Sequence, residues 1–172
     1  KLSNKLDESG AKLLRLATQT IVSQVAAMKN MVNDFANYAR GPALKLSHLD
    51  VHKLIKEVLG LYEANIIPIV LELEAERCVV NGDATRLRQV IHNLLQNAQD
   101  ALHGIERPQI TLHTGTQDGE IHLYVEDNGV GFSENVLSSA FEPYMTTKTK
   151  GTGLGLAIVK KIVEEHGGHI AI

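Results

Sequence analysis

Glycines at alternate positions restrict this chain more than any other feature of its sequence. Two such runs occur, Gly129-Val130-Gly131 and Gly151-Thr152-Gly153-Leu154-Gly155. Glycine weakens the interior of helices and strands, and without a Cβ it permits left-handed backbone and a close approach of the backbone to a ligand. The two runs therefore predict two loops that make contacts through their backbone.

Composition indicates a globular protein of modest size. The 172 residues are 44% hydrophobic and 22% charged, which at roughly 150 residues per domain predicts one domain plus an appendage. A net charge of −3 without a run of lysine or arginine argues against a nucleic-acid partner. Cys78 is the single cysteine, no zinc spacing occurs, and no apolar run is long enough to span a bilayer. We expect a cytoplasmic protein with no signal peptide and no membrane contact from this chain.

Residues 11–40 predict one long helix. No glycine or proline lies between them, and after a first step of seven their apolar residues follow the alternating four-three spacing of a coiled-coil seam. The seam consists of Leu14, Ile21, Val25, Met28, Val32, Phe35 and Ala39. So long and narrow a seam favours a partner helix over packing on the chain's own domain. Gly41-Pro42 is expected to end the helix, and residues 41–49 to form a linker.

From residue 50 onward the pattern is that of a compact α/β domain. Asp50 and Asp83 are suited to cap helices over 50–63 and 83–102, and a third helix is predicted at 154–166. Apolar alternation predicts strands at 69–75, 109–114 and 120–125, residues 78–80 are a candidate short strand, and a further strand is expected from His169 onward. Gln117-Asp118-Gly119 predicts a hairpin turn between two of them.

Two asparagines flank the apolar face of the helix at 83–102. Asn93 and Asn97 are four residues apart and therefore share a stripe beside that face. Their amide oxygens suit a hard cation such as Mg²⁺, with phosphate oxygens completing the shell. The alternative is that both side chains are solvated or hydrogen-bonded to a neighbouring loop, and the pair alone favours that alternative.

The two glycine loops predict different contacts. Asp127 follows a strand directly, and if buried it is suited to accept a hydrogen bond from an exocyclic amine such as adenine N6; an ordinary turn is the alternative. The second run leads into a helix, where free N–H groups bind phosphate, or it is a structural turn. This run has neither the lysine of a P-loop nor the spacing of a Rossmann turn.

The segment between the loops, residues 133–150, has no clear period. It carries Phe141, Lys148 and Lys150. Such a segment is typical of a mobile lid over a phosphate site, and it is equally compatible with a surface loop in which Phe141 reaches the core.

The order of these motifs is more specific than any one of them. HNLLQNAQDA (92–101), DNGVG (127–131), FEPYMTTK (141–148) and GTGLGLAIVK (151–160) resemble the N, G1, F and G2 boxes of the histidine-kinase-type ATP-binding domain. The resemblance covers about residues 48–172. MVNDFANYAR (31–40) resembles the second helix of that family's dimerisation hairpin, and the long helix is most similar to nitrogen-regulation sensor kinases of the NtrY type.

The resemblance implies an α+β fold of the Bergerat type, a two-layer sandwich with a mixed sheet covered on one face by three helices. It implies ATP and Mg²⁺ as cofactors. Asp127 would bind the adenine amine, Asn97 would hold Mg²⁺ with the catalytic Asn93 beside it, and Lys148 or Lys150 would reach the phosphates. The remaining nucleotide-binding positions would be Gly129, Gly131, Phe141, Gly151, Thr152, Gly153, Leu154, Gly155 and Leu156.

Three departures from the family pattern affect the expected activity. Asp100 stands where many members carry a phosphate-binding lysine, so that role passes to a lid lysine. Asn93 stands where the related hydrolases carry a general-base glutamate, which favours transfer over hydrolysis. None of the eight histidines is followed by Glu or Asp, as the family's phosphoacceptor is, so we expect the acceptor helix to precede Lys1.

The sequence thus predicts residues 1–40 as a hairpin remnant and 50–172 as an ATP-binding domain that lacks its last strand. The predicted function is donation of the γ-phosphoryl group of Mg-ATP to a histidine absent from this chain. A homodimer through the N-terminal helix and a response regulator are the expected partners, in the cytosolic part of a membrane-anchored sensor. A gyrase-type ATP hydrolase and a non-catalytic assembly module with a vestigial pocket are the alternatives.

Overall fold

The computed structural model describes residues 7–39, 43–62, 67–74, 78–146, 148 and 151–172. The helices are α1 (Glu8–Ala39), α2 (Val51–Gly60), α3 (Ala84–Ala101), α4 (Glu134–Leu137) and α5 (Gly155–Glu165). The strands are β1 (Ser47–Asp50), β2 (Ile69–Leu73), β3 (Val79–Gly82), β4 (Ile110–Gln117) and β5 (Glu120–Asp127). Every predicted helix has a counterpart, and α4 is a short addition within the predicted lid.

The described strands form two sheets. The larger has the order β2-β4-β5, with β2 parallel and β5 antiparallel to β4, and the smaller pairs β1 with β3 in antiparallel fashion. The hairpin between β4 and β5 turns at Asp118 and Gly119, which both have positive φ, as a two-residue turn of this kind requires. The predicted hairpin and mixed sheet are confirmed.

Helix α3 lies between two apolar clusters. Its residues Ile91, Leu95 and Ala98 pack with α2 and with the inward side of β4, where Ile110 and Leu112 are fully buried. On its other side Val90 packs against the buried residues of the α5 region, which are Leu154, Ile158, Val159 and Ile162. The sheet and the helices thus share α3 as their common support, and the predicted α+β fold is confirmed.

Asp83 fixes the start of α3. Its carboxylate accepts hydrogen bonds from the backbone N–H of Lys45, Thr85 and Arg86 at 3.0–3.2 Å. These bonds favour the charged form, and the one from Lys45 contributes most to lowering the pKa of Asp83. The Asp83 N–H in turn donates to Nε2 of His166, 3.0 Å away. One residue therefore joins the segment before β1, the start of α3 and the end of α5.

Two expectations differ from the structure at the ends of the domain. Residues 47–49 fall within the predicted linker, but they belong to β1 because their backbone pairs with β3. The strand predicted from His169 is wrong, since residues 169–172 are irregular and pair with no described strand. The predicted end of the long helix at Gly41-Pro42 lies outside the described residues, and the domain boundary stays a prediction.

The predicted long helix is confirmed as α1, and its seam faces outward. Six side chains of the seam are 42–65% exposed. They are Leu14, Ile21, Val25, Met28, Val32 and Phe35. The apolar stripe that the sequence defines is therefore not covered by the described part of the chain. None of the described helices combines the length and the apolar composition that a membrane span requires.

Candidate nucleotide-binding site

A cleft of about 1080 Å³ opens between α3, the start of α5, the lid segment and one side of α1. Its volume is sufficient for a nucleotide-sized ligand. Of the predicted site residues, the cleft is lined by Asn93, Asn97, Lys148, Gly151, Thr152, Gly153, Gly155 and Leu156. The structure thus brings residues from three separate sequence motifs to one surface.

Asn93 and Asn97 reach the cleft from the polar flank of α3. Both side chains are partly buried, because the neighbouring Leu95 and Ala98 turn inward to the core. The Asn93 amide donates a long hydrogen bond of 3.4 Å to the carbonyl oxygen of Gly155. The flanking stripe that the sequence predicts therefore connects α3 with the second glycine loop.

Lys148 of the lid contacts α3 directly. Its ammonium lies 3.0 Å from Oδ1 of Asn97 and 2.6 Å from Oδ2 of Asp100. Asp100 also accepts a hydrogen bond from the side-chain amide of Gln96, at Oδ1 and 3.2 Å. A lid lysine therefore stands beside the helix position where the sequence lacks the family's lysine. Lys150, the other predicted lysine, lies outside the described residues.

The second glycine loop is packed against the lid. Gly153 has a φ of +68°, and a Cβ there would lie 2.5 Å from the carbonyl carbon of Tyr144. The Tyr144 N–H donates to the carbonyl oxygen of Gly153 at 2.9 Å. Leu154 is fully buried in the cluster between α3 and α5, and it does not line the cleft. The loop therefore positions the start of α5, where N–H groups without helical partners are suited to an anion.

The first glycine loop lies at the end of α3 and outside the lining of the main cleft. The Asp127 carboxylate is exposed and accepts a hydrogen bond from the Gly129 N–H at 2.9 Å. A Cβ on Gly129 would lie 2.6 Å from the carbonyl oxygen of Ala101, so only glycine fits between the loop and α3. Asn128 bonds the backbone of Arg107 and Gln109 at 2.8 Å. Gly131 has a φ of +66° and faces open space.

Phe141 lies away from the main cleft. It is partly buried, and the ammonium of Lys160 on α5 is 5.9 Å from the centre of its ring. A second cleft of about 450 Å³ contains Phe141 together with Pro143, Ala157 and Lys160. The structure thus associates Phe141 with the outer side of α5.

Sequence reasoning missed several residues that line the main cleft. Phe132 is half-exposed and directly follows the first glycine loop, and an aromatic residue beside two glycines is the signal that the sequence offers. Asp100 departs from the family pattern in the sequence, and that departure by itself does not indicate that its carboxylate lines the cleft. The contributions of α1, from Ser23, Gln24 and Met31, depend on where that helix lies and have no local signal.

The donor atoms at the cleft suit Mg²⁺ only as part of a metal–nucleotide complex. The amide oxygen of Asn97 is a hard ligand of the type that Mg²⁺ prefers. Among the described residues, no group of three or more His, Cys, Asp or Glu side chains is arranged to hold a metal. Phosphate and water oxygens would therefore have to supply most of the coordination shell.

Comparison with known proteins identifies the family of this chain. The chain belongs to the family of histidine kinase-, DNA gyrase B- and HSP90-like ATPases, whose model matches residues 82–172. It is 36% identical over 154 residues to an NtrY-like sensor histidine kinase of Rickettsia bellii, covering 88% of this chain. The match covers 25% of that relative's length. The resemblance to a sensor histidine kinase of the NtrY type is confirmed.

Two solved structures have a similar fold. The catalytic domain of histidine kinase ThkA, in a nucleotide-free form, is 34% identical with a TM-score of 0.64, covering 71% of this chain and 82% of that one. ThkA in complex with response regulator protein TrrA is 27% identical with a TM-score of 0.75, covering 95% of this chain and 47% of that one. The second match extends over nearly the whole chain.

Proposed function

We propose that this chain is the Mg-ATP-binding catalytic part of a two-component sensor histidine kinase, and that it donates the γ-phosphoryl group to a histidine on a hairpin helix outside these 172 residues. The observation that carries the proposal is a convergence on one cleft. The amide oxygen of Asn97, the ammonium of Lys148 and the glycine-rich start of α5 all line it. Membership of the ATPase family supports ATP as the ligand.

Charge complementarity supports phosphates as the part of the ligand that enters the cleft. Phosphoryl transfer depends mainly on positioning and on stabilising the charge of the phosphate oxygens. Lys148, backbone N–H groups at Gly151, Gly153 and Gly155, and a cation held by Asn97 would supply positive charge there. Asp127 would bind the adenine amine through its exposed carboxylate, at the edge that the first glycine loop forms.

Asn93 supports transfer over hydrolysis. Its side chain lies in the cleft but is an amide, and an amide is not a base that can take a proton from water. A histidine acceptor brings its own nucleophilic ring nitrogen and needs less help from the donor domain. Hydrolysis by this chain should therefore be slow.

The exposed seam of α1 supports a homodimer in the longer protein. Its apolar side chains are uncovered in the described part of the chain and recur at coiled-coil spacing. A response regulator is the proposed next acceptor, and the similar kinase ThkA is known in complex with one. ATP as the phosphoryl donor indicates a cytoplasmic location for this part of the sensor.

Thermal unfolding with and without Mg-ATP tests the binding step. A ligand that binds only the folded chain stabilises it, by about 2.7 kcal/mol at one hundred times its Kd. Asn97→Ala should remove most of this effect, whereas Asn81→Ala, at an exposed position of β3 away from the cleft, should leave it intact. No stabilisation of the unaltered chain by Mg-ATP would indicate a vestigial pocket.

Labelled ATP separates the transferase from a hydrolase. With γ-labelled ATP we expect little phosphate release and no label on the chain itself. A two-helix hairpin from an NtrY-like sensor kinase, supplied separately, should acquire acid-labile label. Steady phosphate release that Asn93→Ala abolishes would instead identify an ATP hydrolase, and acid-labile label on this chain would contradict an external acceptor.

A further inference from the structure

Two side-chain oxygen atoms of α3 contact the same cation. Oδ1 of Asn97 and Oδ2 of Asp100 lie 3.0 and 2.6 Å from the same atom, the ammonium nitrogen of Lys148. Residues three apart on a helix are neighbours on its surface, so the two oxygens come from one side of α3. The position therefore attracts positive charge through an amide and a carboxylate together.

Asp100 is free to change its cation partner. Its side chain is 40% exposed and lines the main cleft. The side-chain amide of Gln96 donates to its Oδ1, while its Oδ2 contacts the Lys148 ammonium. Exposed ion pairs of this kind contribute little to stability, so the contact with Lys148 is easily exchanged.

The chemistry of the two oxygens matches a magnesium ion carried by a nucleotide. Mg²⁺ in such sites keeps several waters and binds one or two protein ligands, often carboxylates, together with substrate phosphates. Asn97 alone provides a neutral ligand, whereas Asn97 with Asp100 provides one neutral and one charged ligand. The negative charge of Asp100 would repel a bound triphosphate unless a cation lay between them.

We propose that Asp100 is a second Mg²⁺-binding residue beside Asn97, at the point that the Lys148 ammonium holds in this structure. The inference rests on the proposed function, since the metal would arrive with ATP. Two cations repel each other at these distances and compete for the same oxygens. Lys148 would therefore leave the point when the metal–nucleotide complex binds, and its ammonium would become available to the phosphates.

Asp100→Asn in the 172-residue chain tests this assignment. Calorimetry measures ATP affinity in chelator and at increasing Mg²⁺. Loss of one partner from outside the ligand shell usually weakens metal binding about tenfold or more, and loss of a direct ligand should cost at least that much. We therefore expect the half-saturating Mg²⁺ concentration to rise by about tenfold or more. Affinity for metal-free ATP should stay equal or increase, because a negative charge near the phosphates is gone.

Two further variants complete the test. Lys148→Met removes the competing cation and should lower the half-saturating Mg²⁺ concentration. Asp118→Asn in the β4–β5 turn and Lys56→Met on α2 make the same charge changes at exposed positions outside the cleft, and they should change neither quantity. Thermal unfolding of each variant checks that the fold is retained.

The outcomes separate failure of the Asp100 assignment from failure of the proposed function. If Asp100→Asn leaves the Mg²⁺ requirement unchanged or lowers it, Asp100 is only an ion-pair partner of the lid and the inference is overturned. Weaker binding of metal-free ATP by the same amount would indicate structural damage and would also count against it. If the unaltered chain binds no ATP at any Mg²⁺ concentration, the proposed function itself fails.

Discussion

The two glycine loops are similar in sequence but lie in different surroundings. Each has an apolar residue between two glycines, Val130 in the first and Leu154 in the second. Val130 is 79% exposed, whereas Leu154 is fully buried between α3 and α5. The first loop is therefore open at Val130, although its Gly129 packs against the end of α3, whereas the second loop lies between the core and the lid.

The glycines themselves show the same contrast. Gly131 and Gly153 have nearly equal φ angles, +66° and +68°. A Cβ on Gly131 would meet no atom within 4 Å, whereas one on Gly153 would clash with the backbone of Tyr144. The same local pattern therefore specifies the same backbone conformation in both loops, while neighbouring residues decide whether the glycine is also closely packed.

The largest expected effect is on the buried residue of the second loop. Leu154→Ala should destabilise the fold by about 2–5 kcal/mol, because it leaves a cavity in the cluster around α5. Val130→Ala, the matched change in the first loop, should stay within about 0.5 kcal/mol. Urea unfolding at constant m-value measures both. Similar losses in the two variants would mean that the loops do not differ in packing.

A substitution at Asp127 tests whether the first glycine loop contacts the adenine base of the ligand or its phosphates. Asp127→Asn retains a side-chain oxygen for the Gly129 N–H but removes the charged acceptor proposed for adenine. Hydrogen bonds to charged groups contribute about 1.5–3 kcal/mol, so ATP should bind roughly tenfold to more than one hundredfold more weakly. Tripolyphosphate, which lacks the base, should bind as before. Equal loss for both compounds would place Asp127 at the phosphates.

Matched alanine variants of Gly131 and Gly153 measure how much the contact between Gly153 and the lid contributes to stability. Gly131→Ala should cost about 1–2 kcal/mol, the penalty for a left-handed alanine. Gly153→Ala has the same penalty and must also displace Tyr144, so we expect it to exceed Gly131→Ala by about 1 kcal/mol or more. Limited proteolysis should cut the segment at 133–146 faster in Gly153→Ala. Equal proteolysis in the two variants would argue against lid docking by Gly153.

The smallest effect on stability should come from a change at the start of α3, the helix that both loops contact. Asp83→Ala removes the cap of α3 and should cost about 1 kcal/mol. Because the first loop contacts the end of α3 and the second packs on its side, mild denaturant should expose both loops to proteolysis together. Exposure of one loop alone would show that α3 does not couple them.

Asp83 should also make the stability of the fold depend on pH. The pKa of Asp83 is lowered in the folded chain, first by the hydrogen bond from the Lys45 N–H, below its ordinary value of 3.8. Its stabilisation is therefore present above pH 4 or so and is lost as the pH falls through the folded pKa. Asp83→Asn does not titrate, so its stability should change less over this acid range. An unchanged acid profile would contradict the assignment.

Much of the fold follows from local patterns. The seam of α1, the capping aspartates of α2 and α3 and the turn at Asp118-Gly119 each specify an element through its own residues. The strand predicted from His169 was wrong because a local sequence pattern cannot supply a neighbouring strand. The strand at residues 47–49 was missed for the same reason, since its partner β3 lies over thirty positions further along the chain.

The site divides in the same way. The residue types suited to nucleotide chemistry can be recognised from the local sequence, because asparagines on one stripe and glycines before a helix are set by spacing alone. Tertiary packing brings Lys148 to Asn97 and Asp100, buries Leu154 in the core, and places Phe141 beside Lys160. These contacts join segments distant along the chain, and their positions depend on how α3, α5 and the lid pack together.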